Sequence, residues 1–182
     1  MSKTVLVPIT NGCEELEAVT IIDVLRRAGA EVTVASVGAI AVTASHGVKL
    51  VADMPIEACS GNEYDMIALP GGMPGAEHLR GNSTLTNMLK AQAAGGRFYA
   101  AICASPAVVL AHHALLDGKR CTCYPGMENS LAGAIATYEN VVVDGNCITS
   151  RGPGTAMEFA LTLAELLCGK ERAQGVAKGL LA

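Results

Sequence analysis

Residues 98–106, FYAAICASP, constrain this chain more than any other stretch. Phe98, Tyr99, Ala100, Ala101 and Ile102 are too few for a helix and lack polar alternation, which is the pattern of a strand buried on both faces. Ser105 followed by Pro106 reads as a helix N-cap and first helical residue, with Ala107, Val108, Val109 and Leu110 carrying the helix on. Cys103 falls in the turn between them, where the small neighbours Ala101 and Ala104 permit a sharp bend of the nucleophile-elbow kind. A thiol beside unpaired helix N-terminal amides ionises more readily, with a pKa expected at about 3.5–7.5, and the thiolate is the reactive form. Cysteine is also among the most buried residue types, so the same stretch is compatible with an inert core thiol.

A strand covered on both faces requires helices on both sides of its sheet, and the composition agrees. Hydrophobic residues make up 51% of the 182 and charged residues 16%, an apolar excess that suits one compact α/β domain over 1–182. The net charge of -4, with no Lys/Arg cluster, argues against nucleic acid or an anionic membrane as the main partner. Seven cysteines without framework spacing point to a reducing compartment. The opening MSKTVLVPITNG reads as a first strand rather than a signal peptide, and no apolar stretch reaches the roughly 18 residues of a membrane span. A cytoplasmic protein is expected.

In chain order, 4–9 reads as a buried strand, followed by a turn at Thr10, Asn11 and Gly12. Positions 14–28 carry Ala18, Ile21, Ile22, Leu25 and Ala28 at helical spacing, with Gly29 as the stop. Glu14 and Glu15 suit the positive end of that helix, whereas Glu17, beside Ala18 and three residues before Thr20, is expected to look along the loop side towards the strand ends. A strand at 31–36 completes a β-α-β unit with parallel strands. Positions 40–44 and 48–52 form a hairpin with His46 as a solvated tip residue. A strand at 65–69 runs into Pro70, Gly71, Gly72, Met73, Pro74 and Gly75, where paired glycines allow close backbone approach to something bound. The run lacks GxGxxG spacing and a Walker lysine, so no nucleotide site is read there. A helix at 83–94 is capped by Ser83. Cys121, Thr122 and Cys123 alternate on a strand that ends at Tyr124, and a CxC pair without further ligands is weak evidence for a metal. A second hairpin at 141–150 leads into helices at 155–167 and 170–181. Ligands of an open parallel sheet bind beyond the strands' C-terminal ends at the point where strand order reverses, so the turns after the strands should gather at one edge.

Four ordered motifs, GCEELEAV at 12–19, LPGGMPGA at 69–76, AAICASP at 100–106 and TSRGPGTAMEFAL at 149–161, resemble the ThiJ/PfpI superfamily, in particular its parkinsonism-associated deglycase branch, also described as cofactor-independent glyoxalases. The resemblance implies a flavodoxin-like three-layer sandwich with added hairpins and a homodimer. It implies a reactive Cys103 with Glu17 as its partner carboxylate. Gly71, Gly72 and the Ala104 amide match the oxyanion-binding region, with Tyr124 beside it. No metal or cofactor is implied, and the substrate is a small dicarbonyl or a glycated group. Some members carry histidine where Tyr124 stands, and a phenol with a pKa of about 10 is a poor base at neutral pH, which leaves proton transfer to Glu17. The alternative is a redox sensor or chaperone switched by oxidation of Cys103. A Cys-His peptidase pair is not expected, since Ala104 and Ser105 occupy the position directly after the turn.

Overall fold

A computed structural model describes residues 2–182. In chain order the strands are β1 Thr4–Ile9, β2 Glu31–Ser36, β3 Ala41–Thr43, β4 Lys49–Val51, β5 Met54–Pro55, β6 Met66–Leu69, β7 Phe98–Ile102, β8 Arg120–Cys121, β9 Ile135–Ala136, β10 Val141–Asp144 and β11 Cys147–Ser150. The α-helices are α1 Glu15–Arg27, α2 Gly75–Gly81, α3 Ser83–Ala94, α4 Ala156–Cys168 and α5 Lys170–Leu180. Seven strands form one sheet in the order β10-β11-β7-β6-β1-β2-β5, all parallel except for the antiparallel edge strand β10. This is the mostly parallel α/β architecture the buried strands call for. Helices α1, α4 and α5 pack on one another, and α2, α3 and the helical segment after β7 pack together.

The central strands are apolar throughout because both faces are covered. Val5, Leu6, Val7 and Ile9 of β1, Met66 to Leu69 of β6, and Tyr99 to Ile102 of β7 are all at most 1% exposed. Burial of each aliphatic side chain is worth about 1.5–3 kcal/mol, which makes this strip the main source of stability. Helix α1 turns Ala18, Ile21, Val24 and Leu25 into the core. Strand order runs from β1 to β2 in one direction and then resumes with β6 on the other side of β1. The reversal therefore lies between β1 and β6, whose C-terminal ends lead to 10–14 and 70–75.

Three local expectations need correction, and one short helix comes in addition. Asn82, not Ser83, caps α3: it is extended, and its Oδ1 accepts the Leu85 N–H at 2.8 Å, while Ser83 is already helical. Helix α2, preceded by Pro74 and lying where the sequence carries no stated expectation, seats Ala76 and Leu79 in the core. The strand expected over 121–123 stops at Cys121, because the Thr122 N–H leaves the ladder for the Thr149 hydroxyl at 3.0 Å. Ser105 is itself in helical conformation and makes no cap bond; the helix it opens, Pro106–Ala111, is a wide π-type turn.

Candidate active site

The chain leaves β7 through Cys103 at φ 65, a left-handed conformation that side-chain-bearing residues rarely adopt. The bend is held from both sides: the Cys103 N–H donates to the Ser150 carbonyl at 3.0 Å, and its carbonyl accepts the Tyr124 N–H at 2.8 Å. The residue is 8% exposed. The Gly72 and Ala104 amides bear on the sulfur and draw its pKa down.

The glycine loop after β6 lies directly against this bend. A Cβ on Gly71 would stand 2.6 Å from Cys103 Cβ, 2.8 Å from the Ile102 carbonyl and 2.9 Å from the Ala104 nitrogen, so no side chain fits. Gly72, at φ +87, packs equally tightly on the 12–14 backbone. The Glu14 N–H donates to the Gly71 carbonyl at 2.9 Å, which brings the start of α1 onto the same loop.

That contact delivers Glu17 into the site. The residue is fully buried. Its Oε2 accepts the Gly71 N–H at 2.8 Å, while Oε1 has no partner with hydrogen-bond geometry. The Cys103 thiol is the side chain the carboxyl meets. Burial pushes the Glu17 carboxyl up to about 7, against the opposing pull of the Gly71 amide and the neighbouring Cys103 thiol. Burial and then the negative charge of an ionised Glu17 push the Cys103 thiol up to about 12, against the pull of the Gly72 and Ala104 amides. Helix amides alone therefore do not ionise this sulfur, contrary to the expectation from the strand-to-helix turn. Protonation of Glu17 removes its charge and turns its carboxyl from acceptor to donor towards the sulfur. Thiolate and carboxylate exclude one another, so a charge on the sulfur requires a proton on Glu17.

The residues singled out in sequence thus meet, with two differences of detail. The Gly71 amide is occupied by Glu17, so Gly72 and Ala104 supply the amides that face the sulfur. Tyr124 contributes its backbone N–H to the bend, and its half-exposed ring lies against Gly152.

Two further features were not foreseen. The Ser105 hydroxyl, fully buried, donates to the Pro70 carbonyl at 2.6 Å. Glu14 and Glu15 do more than favour a helix terminus: both are buried and accept from the Ser45 hydroxyl at 2.9 and 3.0 Å, and Glu15 also takes the His46 and Val48 amides. Burial alone would raise the Glu15 pKa, but its own amide, the His46 and Val48 amides and Ser45 outweigh it and hold the carboxyl at about 2. Ligand atoms of Glu14, Glu15 and His46 come within 4.8 Å of one another, yet these hydrogen bonds account for the carboxylates as a clamp on the β3–β4 turn. Among the described residues no imidazole hydrogen-bonds Cys103; His46, His78 and His113 are engaged elsewhere. Cys13 is fully buried, and that burial raises its pKa. A surface groove of about 960 Å³ lies along α5 at the opposite end of α1 from Glu17. Among the described residues no helix is long and apolar enough to cross a membrane.

A parallel sheet with a thiol on a left-handed residue beside its reversal point, faced by two amides and a buried carboxyl, defines a class: α/β proteins built around a cysteine elbow. The DJ-1/PfpI family model matches residues 3–166, and the chain belongs to that family. Protein DJ-1 homolog A of Arabidopsis thaliana is 50% identical over 183 residues, covering 99% of this chain and 47% of its own length, so this chain spans about half of that relative. Glutathione-independent glyoxalase DJR-1.2 of Caenorhabditis elegans is 35% identical over 181 residues, covering 98% of this chain and 95% of its own. The solved structure of oxidized Toxoplasma gondii DJ-1 matches with a TM-score of 0.96 at 49% identity, covering 99% of this chain and 98% of that one. The flavodoxin-like fold agrees with these structures.

Proposed function

We propose that this chain is a cofactor-independent glyoxalase that converts small 1,2-dicarbonyls such as methylglyoxal into 2-hydroxy acids, with Cys103 as nucleophile and Glu17 as general acid/base. The observation that carries the reading is the buried Glu17 carboxyl, poised near neutrality and set against the sulfur of a thiol on a strained bend. A general acid/base works best with a pKa near the operating pH. The glyoxalase named among the relatives supports the substrate class.

The Cys103 sulfur adds to the aldehyde carbon of methylglyoxal while its proton passes by way of Glu17 to the new oxyanion, giving a hemithioacetal and leaving Glu17 as the carboxylate; the amides of Gly72 and Ala104 are the donors for that oxyanion. Glu17 takes the proton from that carbon and returns it to the neighbouring one. The former ketone carbon is thereby reduced to an alcohol as the aldehyde carbon reaches the oxidation level of a thioester. Water then cleaves the thioester, releases lactate and restores the thiol. One water is consumed, no electrons leave the substrate, and no external redox partner is needed. The same addition extends to early glycation adducts on amines or thiols, which is the deglycase form of the activity. The test is lactate production by wild type, Cys103→Ser and Glu17→Gln in buffer free of amines and thiols, which would otherwise trap the aldehyde. Turnover lost in both variants is expected; turnover unchanged in Cys103→Ser would overturn the proposal.

A second reading, a sensor switched by oxidation of Cys103, is favoured by Glu17 Oε1, which is buried without a partner and, once protonated, is placed to donate to a sulfinate. Peptide mass spectrometry after mild peroxide distinguishes it: a sensor gains two oxygens at Cys103 and not at the buried Cys13 or Cys59.

The expected homodimer also remains a proposal. It is supported by Leu16 and Val19 on α1 and Val48 and Val51 of the clamped hairpin, apolar side chains 46–73% exposed.

A further inference from the structure

The Ser105 hydroxyl belongs neither to the helix cap its sequence suggests nor to any contact with the sulfur. It donates to the Pro70 carbonyl at 2.6 Å, and the Pro70 carbonyl shares one planar peptide unit with the Gly71 N–H. That N–H donates to Glu17 Oε2 at 2.8 Å. The carbonyl and N–H of a trans unit point in opposite directions, so this unit is held between Ser105 on one side and Glu17 on the other. Gly71 has no side chain to fix its backbone, and the next peptide unit is anchored separately by the Glu14 N–H on the Gly71 carbonyl. A hydrogen bond accepted by an amide carbonyl also polarises the amide's own N–H and strengthens the bond it donates.

We propose that Ser105 is a positioning residue for the acid/base step: through the Pro70–Gly71 peptide it aims and polarises the amide that holds Glu17 Oε2, and so keeps Oε1 directed at the Cys103 sulfur. The inference rests on the reading of Glu17 as the acid/base group. The titratable groups bearing on Glu17 are the Cys103 thiol across the site and, more weakly, Glu14 at the start of its own helix. The Ser105 hydroxyl hydrogen-bonds neither of them, so a shift in Glu17 reports the relay.

The experiment follows the side-chain carboxyl carbon of Glu17 by NMR in ¹³C-glutamate-labelled full-length protein, assigned with Glu17→Gln, alongside methylglyoxal kinetics. A weaker hydrogen bond to the carboxylate favours the protonated form. Ser105→Ala should therefore raise the Glu17 midpoint by about 0.5 pH unit and lower kcat about fivefold, with KM little changed. Ser105→Cys fills similar space with a weaker donor and should shift the midpoint in the same direction by less; it also serves if the alanine variant does not fold. A Glu17 midpoint unmoved in the folded variants would overturn the proposal, because a merely structural hydroxyl has no reason to move it. The two claims separate cleanly. A shifted midpoint in a protein that makes no lactate keeps the relay and removes the glyoxalase reading, whereas turnover with an unmoved midpoint does the reverse.

Discussion

Replacement of Glu17 by Gln should stabilise the protein in alkaline solution, and by an amount the site itself sets. Glutamine keeps an oxygen for the Gly71 N–H and puts an amide donor towards the sulfur, so the packing is retained while the charge is lost. In the folded chain the Glu17 pKa is raised by burial from 4.5 to about 7. Between those values the folded state holds the proton more tightly than the unfolded chain does, so stability falls as pH rises through the window. Each pH unit is worth about 1.4 kcal/mol, which makes the ionised, buried carboxylate cost about 3 kcal/mol above neutrality. Urea unfolding of wild type and Glu17→Gln at a series of pH values from 4.5 to just past 7 measures the difference directly, because the titrating groups remote from Glu17 cancel between the two proteins and the Cys103 thiol stays protonated across that range. The two should differ little near pH 4.5, and the variant should gain steadily until it is about 3 kcal/mol the more stable past pH 7. A difference that does not change with pH, or a wild type that gains on the variant as pH rises, would refute the argument that Glu17 is a carboxyl raised by burial.

Other substitutions probe the surrounding geometry. Gly71→Ala sets a Cβ within 3 Å of three atoms of 102–104, two of them backbone; it should cost about 1–3 kcal/mol in denaturant unfolding and disable alkylation of Cys103, and an undisturbed, reactive protein would contradict the close approach. Cys103→Gly should be about 1 kcal/mol more stable than Cys103→Ala, since only glycine relieves the φ of 65; equal stabilities would mean the bend carries no strain. Val51→Asp on the 73% exposed hairpin position should halve the mass seen by sedimentation without loss of the monomer's helix signal, and an unchanged mass would count against this face as the dimer contact.

Much of the fold is legible in the chain because its strands are short, strand-forming runs bounded by turn residues: 4–9, 31–36, 98–102, 141–144 and 147–150 coincide with strands of the structure. What resists reading depends on contacts distant in sequence. Ser105 and Pro106 carry the local signature of a cap, but the hydroxyl finds the Pro70 carbonyl, 35 residues earlier, and the backbone is already helical. Glu14 and Glu15 look like helix-terminus charges until the hairpin folds back over them, and nothing in GCEELEAV announces Ser45 as their partner. The thiol was expected to be acidic from its place before a helix. Burial, present in the sequence reading only as the alternative of an inert core thiol, and the carboxylate beside the sulfur both act the other way, and periodicity can weigh neither. The motifs did locate the pairing of Cys103 with Glu17, because the resemblance ties together positions that only the sheet brings into contact.

The most direct test of the Cys103–Glu17 division of labour uses methylglyoxal labelled with ¹³C at its aldehyde carbon. Glu17→Gln retains the nucleophile but lacks the group that moves the proton, so its spectrum should show the carbon of a protein-bound hemithioacetal that persists without becoming lactate, and Cys103→Ser should show no such signal. The same signal in Cys103→Ser, or rapid lactate formation by Glu17→Gln, would contradict the account.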